Sequence, residues 1–400
     1  MPTGIALGAY LLSGVAGFRQ AGIHRYTKSL LTALAESRML AELDYRLWAL
    51  VSPSALGEAP PPGPRFEVRA AARSTESPYA RIWTEQTESA RVARRFGARL
   101  YHGLAFALPR AWRGPSVLTV YDLSFITAAQ THKWVNRTYL TAMTRWASRR
   151  ATRVLSISAH TRDDLVRLYG LPAEKIDVTL LAPNAHHKPP AQDAIAAFRV
   201  AKGLQPGAVF YLGSLEPRKN LTTLLRAFAR LRATAPDLAG ARLYLGGAAA
   251  WHYEGVLDEA NSATLRDAVV VLGRVPEAEL ALWQAACDCF AFPSLYEGFG
   301  LPPLEAMAAG AAVVCSNASS LPEAVGDAAL LVDALDVDGW ATSLASVLRD
   351  PGLRADLRRR GLARAAGFSW SRVADETLAA YAKALAGSTH TREASSTPRA

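Results

Sequence analysis

Cysteine is scarce: Cys287, Cys289 and Cys315 are the only three in a chain of 400 residues. That count excludes a disulfide-stapled secreted scaffold, and no His or Cys cluster surrounds the Cys-x-Cys pair at metal-ligand spacing. The pair lies in an apolar run, so buried free thiols are expected, consistent with a reducing cytoplasm. Lysine is also rare, with 7 lysines against 38 arginines. Long apolar runs are lacking too. The uncharged stretch at residues 4–18, GIALGAYLLSGVAGF, is shorter than the roughly 20 residues that span a bilayer. Only Met-Pro-Thr precedes it, without the basic region of a signal peptide. A buried strand followed by a Gly-rich loop is therefore expected there, and a cytoplasmic protein.

Negative charge is under-represented in one half of the chain. Residues 1–190 carry 25 Lys+Arg against 13 Asp+Glu, a net of +12, and the rest carries 20 against 22, a net of −2, summing to the +10 of the whole. A basic first half suits an anionic partner, and the dense stretch Arg145–Arg153, RWASRRATR, suits peripheral contact with an anionic membrane at its inner face. No nucleic-acid partner is expected.

Half the residues are apolar and a fifth are charged, the composition of a folded soluble protein. The length suggests two domains. Short β-rich runs alternate with amphipathic runs, which predicts parallel α/β sheets. Strands are expected at Ile5–Tyr10, Tyr45–Val51, Leu100–His102, Ser116–Tyr121 and Arg153–Ser156. Helices are expected at Ile23–Ala35, Tyr79–Phe96, Asn136–Ser148 and Ala159–Tyr169. Consecutive prolines make Ala59–Pro64 a loop. Pro183–Asp193, PNAHHKPPAQD, reads as a linker, centred on 187–192, between a domain at 1–186 and one at 193–370. The second series has strands at Ala208–Leu212, Arg242–Leu245, Val269–Leu272, Cys289–Phe292, Ala312–Cys315 and Ala329–Val332. Helices follow at Leu353–Ala366 and Arg372–Leu385. The segment 371–386 is expected to cross back to the first domain, and 387–400 to lack regular structure.

The strongest chemical signal is SLYEGFGLPPLEAMAA, Ser294–Ala309. It follows an apolar strand and opens a helix whose first turn tolerates proline. Gly298 and Gly300 allow close backbone approach, and a helix N-terminus favours phosphate or hydroxyl oxygens. Glu297 and Glu305, eight residues apart, can address the two ends of an extended ligand, since ligands bind beyond the carboxyl ends of strands in open α/β sheets. A second cluster, GSLEPRKN at Gly213–Asn220, follows the strand Ala208–Leu212. It places Arg218 and Lys219 before a helix with Asn220 as N-cap, an arrangement suited to a diphosphate. A third, GVAGFRQAGIHR at Gly14–Arg25, does not match a dinucleotide fingerprint but suits a flexible loop with Gly22 at a helix start.

Together these motifs resemble the retaining glycosyltransferases of family 4. The resemblance rests on Arg218-Lys219-Asn220, on Glu297-Gly298-Phe299-Gly300-Leu301-Pro302-Pro303-Leu304-Glu305-Ala306, and on AGIHRY (Ala21–Tyr26), TVYDLSF (Thr119–Phe125), SISAHTRDDL (Ser156–Leu165) and LPEAVGDAALLVD (Leu321–Asp333). It implies the GT-B fold, two Rossmann-like domains with parallel sheets facing across a cleft. It also implies transfer of a hexose from a nucleoside diphosphate sugar to a saccharide or lipid-linked hydroxyl, without a cofactor or a metal. Arg218 and Lys219 would hold the donor diphosphate. Glu297 and the backbone of Gly298, Phe299, Gly300 and Leu301 would hold the sugar and distal phosphate. Glu305 would accept from the ribose hydroxyls, Val275 would meet the base through its backbone, and Gly22 would approach the phosphate. The AGIHRY and TVYDLSF elements most resemble the bacterial mannosyltransferases, which favours GDP-mannose, with UDP- and dTDP-linked sugars as the open alternatives. Two positions depart from the family pattern. Ala21 precedes Gly22 where the family often has Gly-Gly, and Tyr121 precedes Asp122 where it commonly has His-Asp. Tyr121 is still expected to donate to a sugar oxygen or stack on a ring, with Asp122 and His102 as further acceptor-side candidates. A non-catalytic nucleotide-sugar-binding protein and a sugar-nucleotide epimerase are the alternatives. Asp336-Val337-Asp338 is expected to cap a helix, and His186-His187 has no partner at metal-ligand spacing.

Overall fold

The computed structural model describes residues 1–15, 22–127, 134–184, 186–250 and 253–394, with only the backbone described for 134–136 and 388–394. Two compact units emerge. The first contains Met1–Ile126, Trp134–Leu181 and the segment from Ser369, and the second contains Ala182–Phe368.

The first unit is built on seven strands: β1 (Thr3–Gly8), β2 (Tyr45–Val51), β3 (Phe66–Ala70), β4 (Ala98–Gly103), β5 (Ser116–Val120), β6 (Arg153–Ser156) and β7 (Ile176–Val178). Their order is β3-β2-β1-β4-β5-β6-β7, and every described pairing is parallel. Strand β5 is buried at all five residues, as a strand covered on both faces must be, and its sequence SVLTV is accordingly almost free of polar alternation. The helix Gly22–Glu36 buries Tyr26, Leu30, Leu31 and Leu34, the i, i+4, i+5, i+8 stripe of an amphipathic helix. Sequence reasoning passed over β3 and β7. Both are sheet edges, and β3 reads FEVRA with only its first residue fully buried, so neither carries the apolar run of a central strand.

The expected helix Tyr79–Phe96 is two helices, Pro78–Thr87 and Ser89–Arg95. The final helix, Trp370–Ala394, belongs to the first unit, where the Tyr381 hydroxyl lies 2.7 Å from His102 Nδ1. It runs past the start of the segment expected to lack structure, because extending a formed helix costs far less than nucleating one. Residues 395–400 lie outside the described residues.

The second unit has six strands: β8 (Ala208–Leu212), β9 (Arg242–Gly246), β10 (Val269–Gly273), β11 (Cys289–Phe292), β12 (Val313–Ser316) and β13 (Leu330–Val332). Their order is β10-β9-β8-β11-β12-β13. In both units the strand order reverses beside the first strand, giving the doubly wound arrangement with a topological switch between the first and fourth strands. All three cysteines are free and buried in this unit, and burial pushes their thiols up. Asp336 caps the helix Val337–Arg349 by accepting from the Gly339 amide at 2.9 Å. No helix among the described residues is long and apolar enough to cross a membrane.

Candidate functional site

The switch point of the second sheet lies between β8 and β11, and the two richest motifs leave the carboxyl ends of these two strands. After β8 the chain makes a tight turn, Pro217–Lys219, before the helix Leu221–Thr234. After β11 it passes through Ser294 and Glu297 into the helix Leu301–Ala308. The loops are stitched together by backbone and side chain. The Leu295 amide donates to the Arg218 carbonyl at 2.9 Å. Asn220 does not cap its helix through its side chain; it adopts a left-handed φ of 55°. Its Nδ2 donates to the carbonyls of Pro293 at 3.1 Å and Ala334 at 2.5 Å, and its Oδ1 accepts from Thr223 at 2.8 Å. That one side chain ties the loops after β8, β11 and β13 to each other.

Four charged groups meet in this loop cluster. Lys219 Nζ donates to Glu297 Oε1 at 2.5 Å, and Arg218 Nη1 lies 3.2 Å from Glu297 Oε2. Arg218 is itself aimed by the Tyr296 carbonyl at 2.6 Å and by Glu216 at 2.8 Å. Ser294 Oγ completes the set, donating to Glu297 Oε1 at 2.7 Å. Burial works to raise the Glu297 carboxyl, but the charges of Lys219 and Arg218 and the hydrogen bonds from Lys219 and Ser294 outweigh it and hold the group at about 2. Burial, with the like charge of Arg218, lowers the Lys219 ammonium from its ordinary value, against the attraction of Glu297 and Glu216. The firm outcome is an ionised Glu297.

The backbone around Glu297 is fixed by serines from the loop after β12. Ser319 Oγ accepts from the Glu297 amide at 2.8 Å, and Ser320 Oγ donates to the Glu297 carbonyl at 2.8 Å. Gly300 has φ 115°, and a Cβ there would come within 2.8 Å of Leu321 and 3.2 Å of Ala324. Glycine is therefore required both by conformation and by space. Pro302 and Pro303 carry no N–H, so Leu301 alone among the first three helical residues supplies an amide hydrogen. Phe299 is buried edge-on against Phe368. Glu305 is buried one turn further along its helix. Its Oε1 lies 3.5 Å from Asn184 Nδ2 and 3.5 Å from His187 Nε2, while His187 Nδ1 lies 3.1 Å from Gln284 Oε1. His187, in the stretch expected to be a linker, is thus a buried part of the second unit.

The loops after β9 and β10 complete the rim. Gly247 has φ 145°, and a Cβ there would lie 1.7 Å from the Gly213 carbonyl oxygen, so the loops after β8 and β9 pack backbone on backbone. Val275 follows β10, and its Cγ2 would stand 2.8 Å from a Cβ at Gly246. All six strands of the sheet thus send their carboxyl-end loops into this cluster. The serines after β12, Gly246-Gly247 and His187 escaped sequence reasoning. Only the glycine pair after an apolar strand offered a signal.

Residues 195–364 match the family model of glycosyl transferases group 1, and residues 21–179 match that of glycosyltransferase family 4. The O-antigen chain mannosyltransferase B of Escherichia coli is 35% identical over 288 residues, covering 70% of this chain and 74% of that protein. The chain belongs to glycosyltransferase family 4. The D-inositol 3-phosphate glycosyltransferase of Segniliparus rotundus is 34% identical over 230 residues, 56% of this chain and 50% of that enzyme. In fold the transferase is similar to the sucrose-phosphate synthase of Thermosynechococcus elongatus, with a TM-score of 0.73 and 21% identity over 96% of this chain and 100% of that one. It is also similar to Anabaena HepE in complex with UDP, with a TM-score of 0.70 and 17% identity over 96% and 100%. The fold is GT-B.

The transferase's first unit holds the other sequence candidates. Gly22 is exposed at the start of its helix, with open space where a Cβ would stand; residues 16–21, including Ala21, lie outside the described residues. Asp122 Oδ1 accepts from the Ser124 amide at 2.8 Å, closing a local turn. Tyr121 is buried, and its hydroxyl donates to the Leu104 carbonyl at 2.6 Å. Its ring meets Tyr26 and Phe106 edge-on, so the phenol expected to face a sugar is spent on the interior of the first unit. His102 requires a correction. It is fully buried inside β4, with Nδ1 on the Tyr381 hydroxyl and Nε2 2.9 Å from Thr119 Oγ1. Burial lowers its pKa to about 3. It is a neutral core histidine rather than a ligand-facing one, because β4 continues to Gly103 and leaves His102 within the sheet.

Proposed function

We propose that this glycosyltransferase is a retaining hexosyltransferase that moves mannose from GDP-mannose to a saccharide or lipid-linked hydroxyl. The observation that carries the reading is the meeting of Arg218, Lys219 and Glu297 on the carboxyl-end loops at the switch point of the second sheet, with Glu305 on the helix that follows. Arg218 and Lys219 face the donor diphosphate, and Glu297 accepts from the sugar hydroxyls. Glu305, steadied by Asn184 and His187, accepts from the ribose. Val275 meets the base through its backbone. The mannose assignment is supported by the similarity to an O-antigen chain mannosyltransferase.

Lys219 is tied to Glu297. A donor divides that pair, drawing the ammonium toward phosphate and leaving the carboxylate for hydroxyls. As the acceptor oxygen bonds to the anomeric carbon, the carbon–oxygen bond to the diphosphate breaks on the same face. The departing phosphate oxygen takes the acceptor's proton, so no protein base is required. The cations stabilise the charge that develops on the leaving group, and the fixed loops supply orientation. Two cations at this position do the work of a divalent ion, so transfer is expected to survive EDTA.

The first unit is assigned the acceptor and a reversible contact with anionic membrane. Arg145, Arg149 and Arg150 line one open cavity of about 720 Å³ with Ala142 and Trp146, and the Arg110 guanidinium lies 5.5 Å from the Trp146 ring. Guanidinium groups around an aromatic suit a lipid headgroup layer. Sedimentation with anionic vesicles that falls with salt supports this contact, and equal recovery with neutral vesicles removes it.

The functional test is a donor panel of GDP-mannose and UDP-, dTDP- and ADP-sugars with a mannosylated acceptor. The product linkage is then read by NMR. An α-mannosyl product from the α-linked donor is expected. Transfer from another nucleotide alone corrects the donor, and an inverted anomer refutes the retaining assignment.

A further inference from the structure

A second cavity, of about 570 Å³ and largely apolar in its walls, opens in the second unit at the amino ends of the strands. Its lining includes Arg199, Asp288, Arg354 and Arg358, with Pro190 and Ile195 among its apolar walls. Asp288 immediately precedes β11, and its Oδ2 accepts from the amides of Gly207 and Ala208, which precede and open β8. The cavity therefore sits at the amino ends of the strands. Asp288 and Glu297 are separated by the whole of β11, about 13 Å for four residues at the usual strand rise.

The charge in this cavity does not balance. Three guanidinium groups line it with a single carboxylate, and one oxygen of that carboxylate is already engaged by two backbone amides. The nearest guanidinium to it is Arg199, with Nη1 3.6 Å from Asp288 Oδ1. Each arginine is anchored at one edge by a backbone carbonyl. Arg199 donates to Ala286, Arg354 donates to Val347 at 2.8 Å and Leu348 at 2.7 Å, and Arg358 donates to Cys287 at 3.2 Å. A guanidinium has five N–H donors, so these anchors leave donors over on each. Arg358 Nε is buried without a hydrogen-bond partner, a state that costs free energy. Burial lowers the Arg358 pKa; the charge of Asp288 opposes it, and those of Arg354 and Arg199 add to it.

We propose that this cavity is a binding site for a phosphate monoester, separate from the donor site. A dianion matches the surplus of two positive charges, planar guanidinium groups match phosphate oxygens bidentately, and the apolar walls accept the ester's carbon portion. One wall is the helix Pro351–Ala366, whose Gly361 packs against Met307 of the Glu305 helix, where a Cβ would meet Met307 Cγ at 3.0 Å. A ligand here bears on a helix in direct contact with the donor helix.

The test is calorimetric titration of the full chain with inorganic phosphate and with mannose 6-phosphate, alone and with saturating GDP. The proteins are the parent, Arg354→Gln and Ile195→Glu. The second variant leaves every arginine in place and sets a carboxylate on the cavity wall, so it separates loss of the site from a folding defect. Expected are binding of at least one probe in the presence of GDP, and at least a tenfold weakening in both variants with GDP affinity unchanged. Tighter binding of the ester than of free phosphate assigns the ligand to the ester; equal binding narrows it to the phosphate group itself and overturns the ester claim. Loss of probe binding under saturating GDP, or equal binding by parent and variants, overturns the separate site. Failure of GDP to bind refutes the donor assignment and leaves the phosphate arm readable without it.

Discussion

Replacing Lys219 by Met removes one charge from the buried cluster while keeping an unbranched stem of similar length. Glu297 is held at about 2, against roughly 4.5 in an unfolded chain. A group whose folded pKa is depressed contributes stability above its unfolded value and loses it as pH falls through the folded value. The shift corresponds to about 3 kcal/mol, fully present above about pH 4.5. Lys219 supplies the larger of the two charge contributions and a direct 2.5 Å hydrogen bond, while Arg218 and Ser294 remain in the variant. The expected loss at pH 7 is therefore about 1–2 kcal/mol, below the roughly 3–5 kcal/mol of a buried charge left wholly unpaired. Thermal unfolding followed at pH 7 and pH 3 reads it: the second unit melts several degrees lower at pH 7, and the gap narrows toward pH 3. In donor kinetics the same variant loses about 2–3 kcal/mol in kcat/KM, the scale of a charge-assisted hydrogen bond to phosphate. A gap that widens in acid, or unchanged donor kinetics with unchanged melting, refutes the reasoning.

Three further outcomes concern the first unit. Folded His102 titrates at about 3, so between there and its unfolded value near 6.5 the unfolded state binds more protons. Stability then falls by about 2 kcal/mol from pH 7 to pH 5, and His102→Gln flattens that slope in pH-dependent denaturant melts. Glu85 has the opposite sign: burial, against the charge of Arg81, raises it to about 7. Its contribution is present below about pH 4.5 and lost as pH rises through 7, so Glu85→Gln gains roughly 1–3 kcal/mol over the parent at pH 8 and little at pH 4. Tyr121→Phe costs about 0.5–1.5 kcal/mol of stability through the lost bond to the Leu104 carbonyl and leaves transfer measurable; abolished transfer in a folded variant shows an essential hydroxyl.

What could be read in the sequence was whatever local pattern determines. The apolar runs of β1, β5, β8 and β11 stand out because strands covered on both faces must be apolar throughout. The charged loops after β8 and β11 stand out because each packs unusual residues into a few positions. Edge strands β3 and β7 did not, since half-exposed strands need no such run. Nor did the grouping of Glu305 with His187, which joins residues more than a hundred positions apart, or the serines that fix Glu297 from the loop after β12. Tyr121 and His102 show the converse limit. Their residue types invite a role in chemistry, and only long-range packing, on Leu104 in one case and on Tyr381 in the other, reveals that both are spent on the interior.

The central claim is that the strand-end loops of the second unit bind the nucleotide sugar. It is tested most directly by equilibrium titration of GDP-mannose into the full chain and into the variants Arg218→Ala and Glu305→Gln. The account predicts one site per chain, a Kd at least tenfold weaker in each variant, and the same weakening for GDP alone with Arg218→Ala. Parent and variants that bind with equal affinity contradict it.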